Sequence, residues 1–165
     1  MAEVTFCPQC AQALREREVD GRTRKACPDA DCGYVHWGNP VPVVAAIVQR
    51  GDEVLLARQP TWPEKMFGLV TGFLEADESP EEGVLREVEE ELGLRGEVVS
   101  LVGLYPFAVK NELLIIYHVR AEGDVVLGEE LAAYKAVPIA RLKPWPFGTG
   151  LGLADWLAQV RPEAP

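Results

Sequence analysis

A helix with two well-marked ends lies in the middle of the chain and constrains its fold more than any other feature. Ser79 is followed by Pro80 and Glu82, which is the pattern of a serine N-cap with a reciprocal capping box. Gly93 follows Leu92, at the position where helices often end in a left-handed residue. The sequence therefore predicts a helix from Ser79 to Leu92.

The faces of this helix differ in polarity. One face carries a stripe of apolar residues suited to packing on a core, namely Val84, Leu85, Val88 and Leu92. Another carries Glu87, Glu90 and Glu91, a spacing that brings three carboxylates together, and only Arg86 offsets their repulsion locally. A solvated acidic face is the ordinary explanation of such a run. A bound Mg²⁺ or similar hard cation would instead make the same arrangement favourable.

A longer pattern surrounds these glutamates. Gly72 is followed after five residues by Glu78, and after seven more by the run Arg86-Glu87-Val88-Glu89-Glu90-Glu91-Leu92-Gly93-Leu94. Every fixed position of the Nudix box is matched, so the chain resembles the Nudix hydrolases. The resemblance implies a divalent-metal-dependent enzyme in which water attacks a phosphorus of a pyrophosphate linkage.

The same resemblance assigns roles to individual residues. Mg²⁺ or Mn²⁺ would be held by the backbone of Gly72 and by the side chains of Glu87, Glu90 and Glu91. Arg86 and Glu78 would fix the carboxylates in place. The base that accepts a proton from water has two candidates. One is Glu87, and the other, which we favour, is Glu130 in the segment Gly128-Glu129-Glu130-Leu131.

All four cysteines lie within the first 32 residues, as two pairs separated by sixteen residues. Cys7 with Cys10, and Cys27 with Cys32, have the spacing of a four-thiolate zinc site of the ribbon type. Such a zinc ion is structural, because every coordination position is filled. Two disulfides or a redox pair are the alternatives. Because Met1 to Cys10 does not resemble a secretory signal, we expect a reducing, cytoplasmic location.

The composition changes near Asn39, where a segment poor in aliphatic residues gives way to an apolar one. We expect a zinc ribbon over residues 1–39 and a Nudix domain over residues 40–165. Strands are predicted at 43–49, 53–58, 67–71, 98–109 and 113–120, and a last helix at 151–160. Strands interleaved with two helices predict an α/β core. The resemblance makes this an α/β/α sandwich with a mixed sheet.

A zinc ribbon before a Nudix domain resembles the NADH pyrophosphatase branch, which implies NADH, NAD⁺ or ADP-ribose as substrate. That branch carries a Ser-Gln-Pro-Trp-Pro-Phe-Pro signature after the box. Here only Pro106 and Phe107 match it, and Tyr105 stands in place of the tryptophan. The similar string from Lys143 to Gly148 lies too late in the chain to be this signature.

Candidate substrate contacts lie outside the box. Phe67, Tyr105 and Phe107 could stack on a nucleobase, as could Trp62, although core packing is the commoner role of each aromatic residue. Arg58, at the end of a predicted strand, and Lys65, in the following loop, are candidates for phosphate binding. A solvated cation is the alternative role for both.

The chain has 16 basic and 26 acidic residues and a net charge of −10. This balance argues against nonspecific nucleic-acid binding and means that metal ions or a local basic patch must attract a phosphate-bearing substrate. No apolar run approaches the ~18 residues that span a membrane. Two other functions stay open: cleavage of nucleoside triphosphates or capped RNA ends, and nucleotide sensing by a binding module. The ribbon and the exposed strand edges are compatible with a homodimer.

Overall fold

The computed structural model describes residues 4–161 and separates an N-terminal unit, Met1–Pro40, from a C-terminal unit, Val41–Pro165. The predicted boundary near Asn39 lies beside this division. The outermost residues of the two predicted domains, 1–3 and 162–165, lie outside the described residues.

Three short strands form the sheet of the N-terminal unit. β1 (Arg15–Val19) and β2 (Arg22–Ala26) are antiparallel, and β3 (Val35–His36) pairs with β2. The two-residue turn between β1 and β2 consists of Asp20 and Gly21, which have φ angles of 52° and 72°. Two positive φ angles characterise the type I′ turn, whose twist matches that of a tight hairpin.

A six-stranded mixed sheet forms the C-terminal unit. Its strands are β4 (Val41–Arg50), β5 (Glu53–Arg58), β6 (Val70–Phe73), β7 (Gly96–Phe107), β8 (Glu112–Ala121) and β9 (Ala133–Pro138). Their order is β7-β8-β4-β5-β9, and β6 also pairs with β4. Only the β4–β8 pairing is parallel among the described strands.

Two strands of this six-stranded sheet differ from the prediction. The strand predicted at 67–71 begins later, because Gly68 makes only an isolated bridge to Ala57 before β6 starts at Val70. β9 is not predicted at all. Its sequence has little β-branched character and ends in Pro138, so its pairing with β5 depends on tertiary structure rather than on local preference.

Helices cover both faces of this sheet. α1 (Pro80–Leu92) packs on one side of β4 and α2 (Thr149–Val160) on the other. Side chains alternate along a strand, so burial of every residue from Val43 to Val48 requires a layer on each face. The predicted α/β/α sandwich with a mixed sheet is confirmed. None of the described helices is long and apolar enough to cross a membrane.

Candidate active site

Both ends of α1 are fixed by hydrogen bonds. The Ser79 hydroxyl accepts from the Glu82 N–H at 3.3 Å, and the Glu82 carboxylate accepts from the Ser79 N–H at 2.8 Å. At the other end Gly93 has a φ of 66° and donates its N–H to the carbonyl of Glu89. The predicted capping box and C-terminal glycine are confirmed, and they fix the residues at which the helix begins and ends.

Arg86 lies at the centre of the acidic face of α1. Its guanidinium donates twice to Glu78, at 3.1 and 2.8 Å, and once each to Glu87 at 2.6 Å and Glu90 at 3.2 Å. It also donates to the carbonyl of Phe73 at 3.1 Å. The hydrogen bonds from Arg86 hold the pKa of Glu78 at about 2. One cation therefore binds three carboxylates, as expected for a residue that fixes metal ligands in place.

A close approach between β6 and α1 brings Gly72 to Glu87. A Cβ atom on Gly72 would overlap the carboxylate of Glu87, so a larger residue here would displace that carboxylate. The Glu87 side chain is 12% exposed, in keeping with its position against the strand. The structure thus places Gly72 beside the carboxylates, as predicted from the box.

Glu91 is the most buried member of the acidic group, with 5% of its surface exposed. Burial, and then the charges of three neighbouring carboxylates, raises the pKa of Glu91 to about 8. Those neighbours are Glu87, Glu130 and Glu90. Burial also raises the pKa of Glu87, even though Arg86 opposes the shift. The site therefore concentrates more negative charge than Arg86 neutralises.

These carboxylates have the chemistry that a hard divalent cation requires. Glu87 uses its Oε1 atom and Glu90 its Oε2 atom to accept from Arg86. The second oxygen of each has no hydrogen-bond partner among the residues that the structure describes. Mg²⁺ and Mn²⁺ bind carboxylate oxygens, so the donor set fits such an ion, and a bound cation would favour the charged form of Glu91.

Glu130 reaches this group from the loop after β8. The loop attaches to the C-terminal end of α1, where the Gly128 N–H donates to the carbonyl of Glu91 at 3.0 Å. A Cβ atom at Gly128 would overlap the Glu90 carbonyl, so this contact requires glycine. The charge of Glu130 contributes to the raised pKa values of both Glu87 and Glu91. The structure therefore brings the predicted downstream glutamate to the site.

Two adjoining cavities open beside the acidic group. The acidic cavity, of about 370 Å³, is lined by Gly72, Arg86, Glu87, Glu90 and Glu130 among others. The aromatic cavity, of about 400 Å³, is lined by the rings of Trp62, Phe67, Phe107, Trp145 and Phe147. Four residues line both: Val43, Thr71, Lys110 and Glu112. An apolar slot thus lies directly beside the carboxylates.

Only some of the predicted substrate contacts line these cavities. Phe67 and Phe107 line the aromatic cavity, as do Trp62 and Lys65. Tyr105 lines neither, because its hydroxyl donates to Asp155 of α2 at 2.6 Å and its ring packs in the core on that side of the sheet. Arg58, which pairs with β9 at the end of β5, also lines neither cavity. The structure thus places Tyr105 and Arg58 outside both cavities, and their roles in substrate binding stay predictions.

Trp145 and Phe147 line the aromatic cavity but were not predicted to contact substrate. They belong to the string from Lys143 to Gly148, which leads into α2. Trp145 packs against Gly150, where a Cβ atom would overlap the Trp145 carbonyl. Two aromatic residues just before a helix are a signal that could have indicated a substrate contact. Because they lie far from the Nudix box along the chain, the sequence did not show that they lie close to the acidic site in space.

The four cysteines of the N-terminal unit converge on one point. All four Sγ atoms lie within 4.8 Å of one another, with Cys7 3.6 Å from Cys32 and Cys10 3.4 Å from Cys27. These distances exceed the S–S bond of about 2.05 Å. They are close to the separation of about 3.8 Å expected between two sulfur ligands of a tetrahedral site with Zn–S bonds of 2.3 Å. The cluster fits a zinc ion, and all four cysteines are free thiols.

Comparison with known proteins agrees with this geometry. A family model of the NUDIX domain matches residues 39–158. The chain belongs to the Nudix family. Its similarity to the NADH pyrophosphatase branch is also supported, because curated relatives include the NAD-capped RNA hydrolase NudC of Pseudomonas aeruginosa, 32% identical over 126 residues. That match covers 76% of this chain and 44% of the relative.

A second Nudix relative is the NAD-capped RNA hydrolase NudC of Mycobacterium bovis. It is 42% identical over 93 residues, which cover 56% of this chain and 30% of the relative. The chain therefore spans about half or less of the length of these curated relatives.

Solved structures show the same Nudix fold. A NUDIX hydrolase from Nitrosomonas europaea has a TM-score of 0.81 at 24% identity and covers 98% of this chain and 95% of its own. An ADP-ribose pyrophosphatase from Streptococcus suis has a TM-score of 0.62 at 23% identity, covering 76% of this chain and 96% of its own.

The buried carboxylate of Glu91 predicts a dependence of stability on pH in zinc-loaded protein without added Mg²⁺. A pKa raised on folding contributes stability at low pH that is lost as the pH rises through about 8. We expect Glu91→Gln to gain stability relative to wild type between pH 6 and pH 9.5, by about 1.4 kcal/mol for each pH unit between pH 6 and the folded-state pKa of about 8. Urea unfolding at both pH values measures this change, and parallel pH profiles for the two proteins would contradict it.

The cysteine cluster predicts one zinc ion per chain after purification under reducing conditions. Cys10→Ser removes one thiolate ligand and should lose the metal, as measured by elemental analysis. Chelation of the wild-type zinc should release four reactive thiols, counted with a colorimetric reagent. Metal-free wild-type protein that retains its full thermal stability would contradict the assignment.

Proposed function

We propose that this chain is a divalent-metal-dependent pyrophosphohydrolase that cleaves the pyrophosphate linkage of a nucleoside diphosphate compound. The observation that carries the proposal is the gathering of Glu87, Glu90 and Glu130 around one cavity, beside an apolar slot, with the buried Glu91 near enough to feel all three charges. A structural core does not favour a buried Glu91 and a largely buried Glu87 beside further carboxylates, since burying like charges destabilises the fold.

The proposed metal ligands are the carboxylates of Glu87, Glu90 and Glu91 and the backbone carbonyl of Gly72. When bound there, Mg²⁺ or Mn²⁺ polarises phosphoryl oxygens, activates the attacking water and stabilises the leaving group. Arg86 orients Glu87 and Glu90 through its hydrogen bonds, and Glu78 holds Arg86 in place. This assignment makes Arg86 and Glu78 positioning residues rather than ligands.

A proton acceptor is needed when water attacks phosphorus. Glu130 is our preferred base, because it lines the acidic cavity from a different element and makes no hydrogen bond to Arg86 among the described residues. Glu87 is the alternative, but one of its oxygens already accepts from Arg86 at 2.6 Å. A carboxylate free to accept a proton is better suited to general-base work than one bound to a cation.

The aromatic cavity supports a nucleotide-containing substrate, with NADH, NAD⁺ or ADP-ribose preferred. Phe67 and Phe107 offer faces on which a base or nicotinamide ring can stack. Lys65 and Lys110 line the same cavity, and Lys110 also lines the acidic one, so both are placed for phosphate charge. The name NAD-capped RNA hydrolase, carried by the relatives, favours an NAD-type end on RNA as a second candidate substrate.

The remaining assignments follow from this proposal. We assign residues 1–39 to a structural zinc ribbon and residues 40–165 to the catalytic domain. Four free thiols suit a reducing compartment, and we therefore propose a cytoplasmic location. A nucleotide-sensing module is the competing function from another class, and nucleoside triphosphate cleavage is the competing reaction.

Substitution of a single ligand tests the proposal against a matched control on the same helix. Glu90→Gln should lower metal-dependent turnover by at least about 100-fold, because loss of a ligand exceeds the 10- to 100-fold cost of losing a supporting residue. Glu89→Gln removes one negative charge in the same way, one residue earlier. Among the described residues, the Glu89 side chain makes an ion pair only with Arg95, at 3.4 Å. It should keep near wild-type turnover.

The assay is mass-spectrometric product analysis with Mg²⁺ or Mn²⁺ and, separately, NADH, NAD⁺, ADP-ribose, NAD-capped RNA and a nucleoside triphosphate. We expect NADH, NAD⁺ or ADP-ribose to be cleaved fastest, with AMP among the products. Equal rates for Glu90→Gln and wild type would contradict the metal assignment. Binding of these compounds without turnover would favour the sensing function instead.

A further inference from the structure

The hairpin of the N-terminal unit carries its arginines on one face. Arg17 lies directly opposite Arg24, and Arg22 opposite Val19, in the antiparallel register of β1 and β2. Directly opposed residues share a face, as do residues two apart on one strand. Arg15, Arg17, Arg22 and Arg24 therefore form a single surface, the arginine face.

The charge of this hairpin contrasts with that of the whole chain. From Arg15 to Ala26 there are five basic and three acidic residues, a net charge of +2, in a chain whose net charge is −10. Arg15, Arg17 and Arg22 are exposed, and none of them makes an ion pair with a residue that the structure describes. Like charges directly opposed across strands are destabilising. An anionic ligand would remove this cost.

Arg24 is held beside an aromatic ring. Its guanidinium carbon lies 4.8 Å from the ring centroid of Trp37, and its Nη1 atom donates to the Trp37 carbonyl at 2.7 Å. Trp37 is 46% exposed, which is high for a residue whose ring is usually buried. The arginine face thus combines cations with an accessible aromatic ring.

We propose that the arginine face binds the phosphate backbone of single-stranded RNA, with Trp37 stacking on an unpaired base. Guanidinium groups match phosphate oxygens in pairs of hydrogen bonds, which lysine cannot do. Basic strands interleaved with aromatic side chains are the usual construction for binding unpaired bases. An acidic peptide would use the cations but not the ring.

Binding at this face does not depend on hydrolysis, so its test is separate from that of the proposed function. The probe is a labelled, unstructured 20-nucleotide RNA with a 5′-hydroxyl end, which contains no pyrophosphate linkage. Fluorescence anisotropy in the zinc-loaded protein, without added Mg²⁺, gives the dissociation constant at several salt concentrations. RNA binding by a hydrolytically inactive protein would still support the inference.

The double variant Arg17→Gln, Arg22→Gln removes two exposed charges from the arginine face. It should weaken RNA binding roughly tenfold or more at low salt and reduce the slope of log K against log salt by about 1.4. The control Arg95→Gln, Lys135→Gln removes the same charge from exposed positions in the C-terminal unit and should leave both quantities unchanged. Trp37→Leu should weaken RNA binding about 5- to 150-fold.

Three results would overturn the inference: no salt-dependent RNA binding, equal losses in the two double variants, or equal competition by polyglutamate at the same charge concentration. The last result would identify a surface for acidic proteins. Zinc content and circular dichroism of each variant establish that the ribbon has folded.

Discussion

The guanidinium of Arg86 is the interaction on which the acidic site depends. It draws Glu78, Glu87 and Glu90 together and also binds the carbonyl of Phe73, so it ties α1 to the segment that leads into it. Bidentate pairing of arginine with a carboxylate is both strong and directional. Without the Arg86 guanidinium, the glutamates of α1 would repel one another and turn toward solvent. The arrangement of carboxylates proposed to bind the metal would then be lost.

Arg86 neutralises only part of the charge that the fold assembles. Glu91 lies beyond its hydrogen bonds, and Glu130 arrives from another loop, so the acidic cavity retains an excess of negative charge. That excess would attract the cations that a chain of net charge −10 needs if it acts on a phosphate-bearing compound, as we propose. Bound cations would reverse the local sign of the field, and the adjoining aromatic cavity would hold the part of the substrate that carries no charge.

Local signals in the sequence predicted the helix that carries the acidic residues. Ser79 and Gly93 determine the ends of α1 through their own hydrogen bonds, so they could be recognised without tertiary information. Tyr105 and Trp145 could not be assigned in this way. Both are aromatic residues near a proline, and only tertiary packing places Tyr105 against the core beside α2 and Trp145 at the cavity. The net charge of the whole chain also does not reveal the basic hairpin of the N-terminal unit, because it averages over segments of different sign.

Anomalous diffraction from a crystal soaked in Mn²⁺ would test the central claim most directly. The account predicts an anomalous difference peak in the acidic cavity, within coordination distance of carboxylate oxygens from Glu87, Glu90 and Glu91 and of the Gly72 carbonyl. Crystals of Glu90→Gln should show a weaker peak or none. Mn²⁺ bound only outside this cavity, at a concentration that supports full activity, would contradict the account.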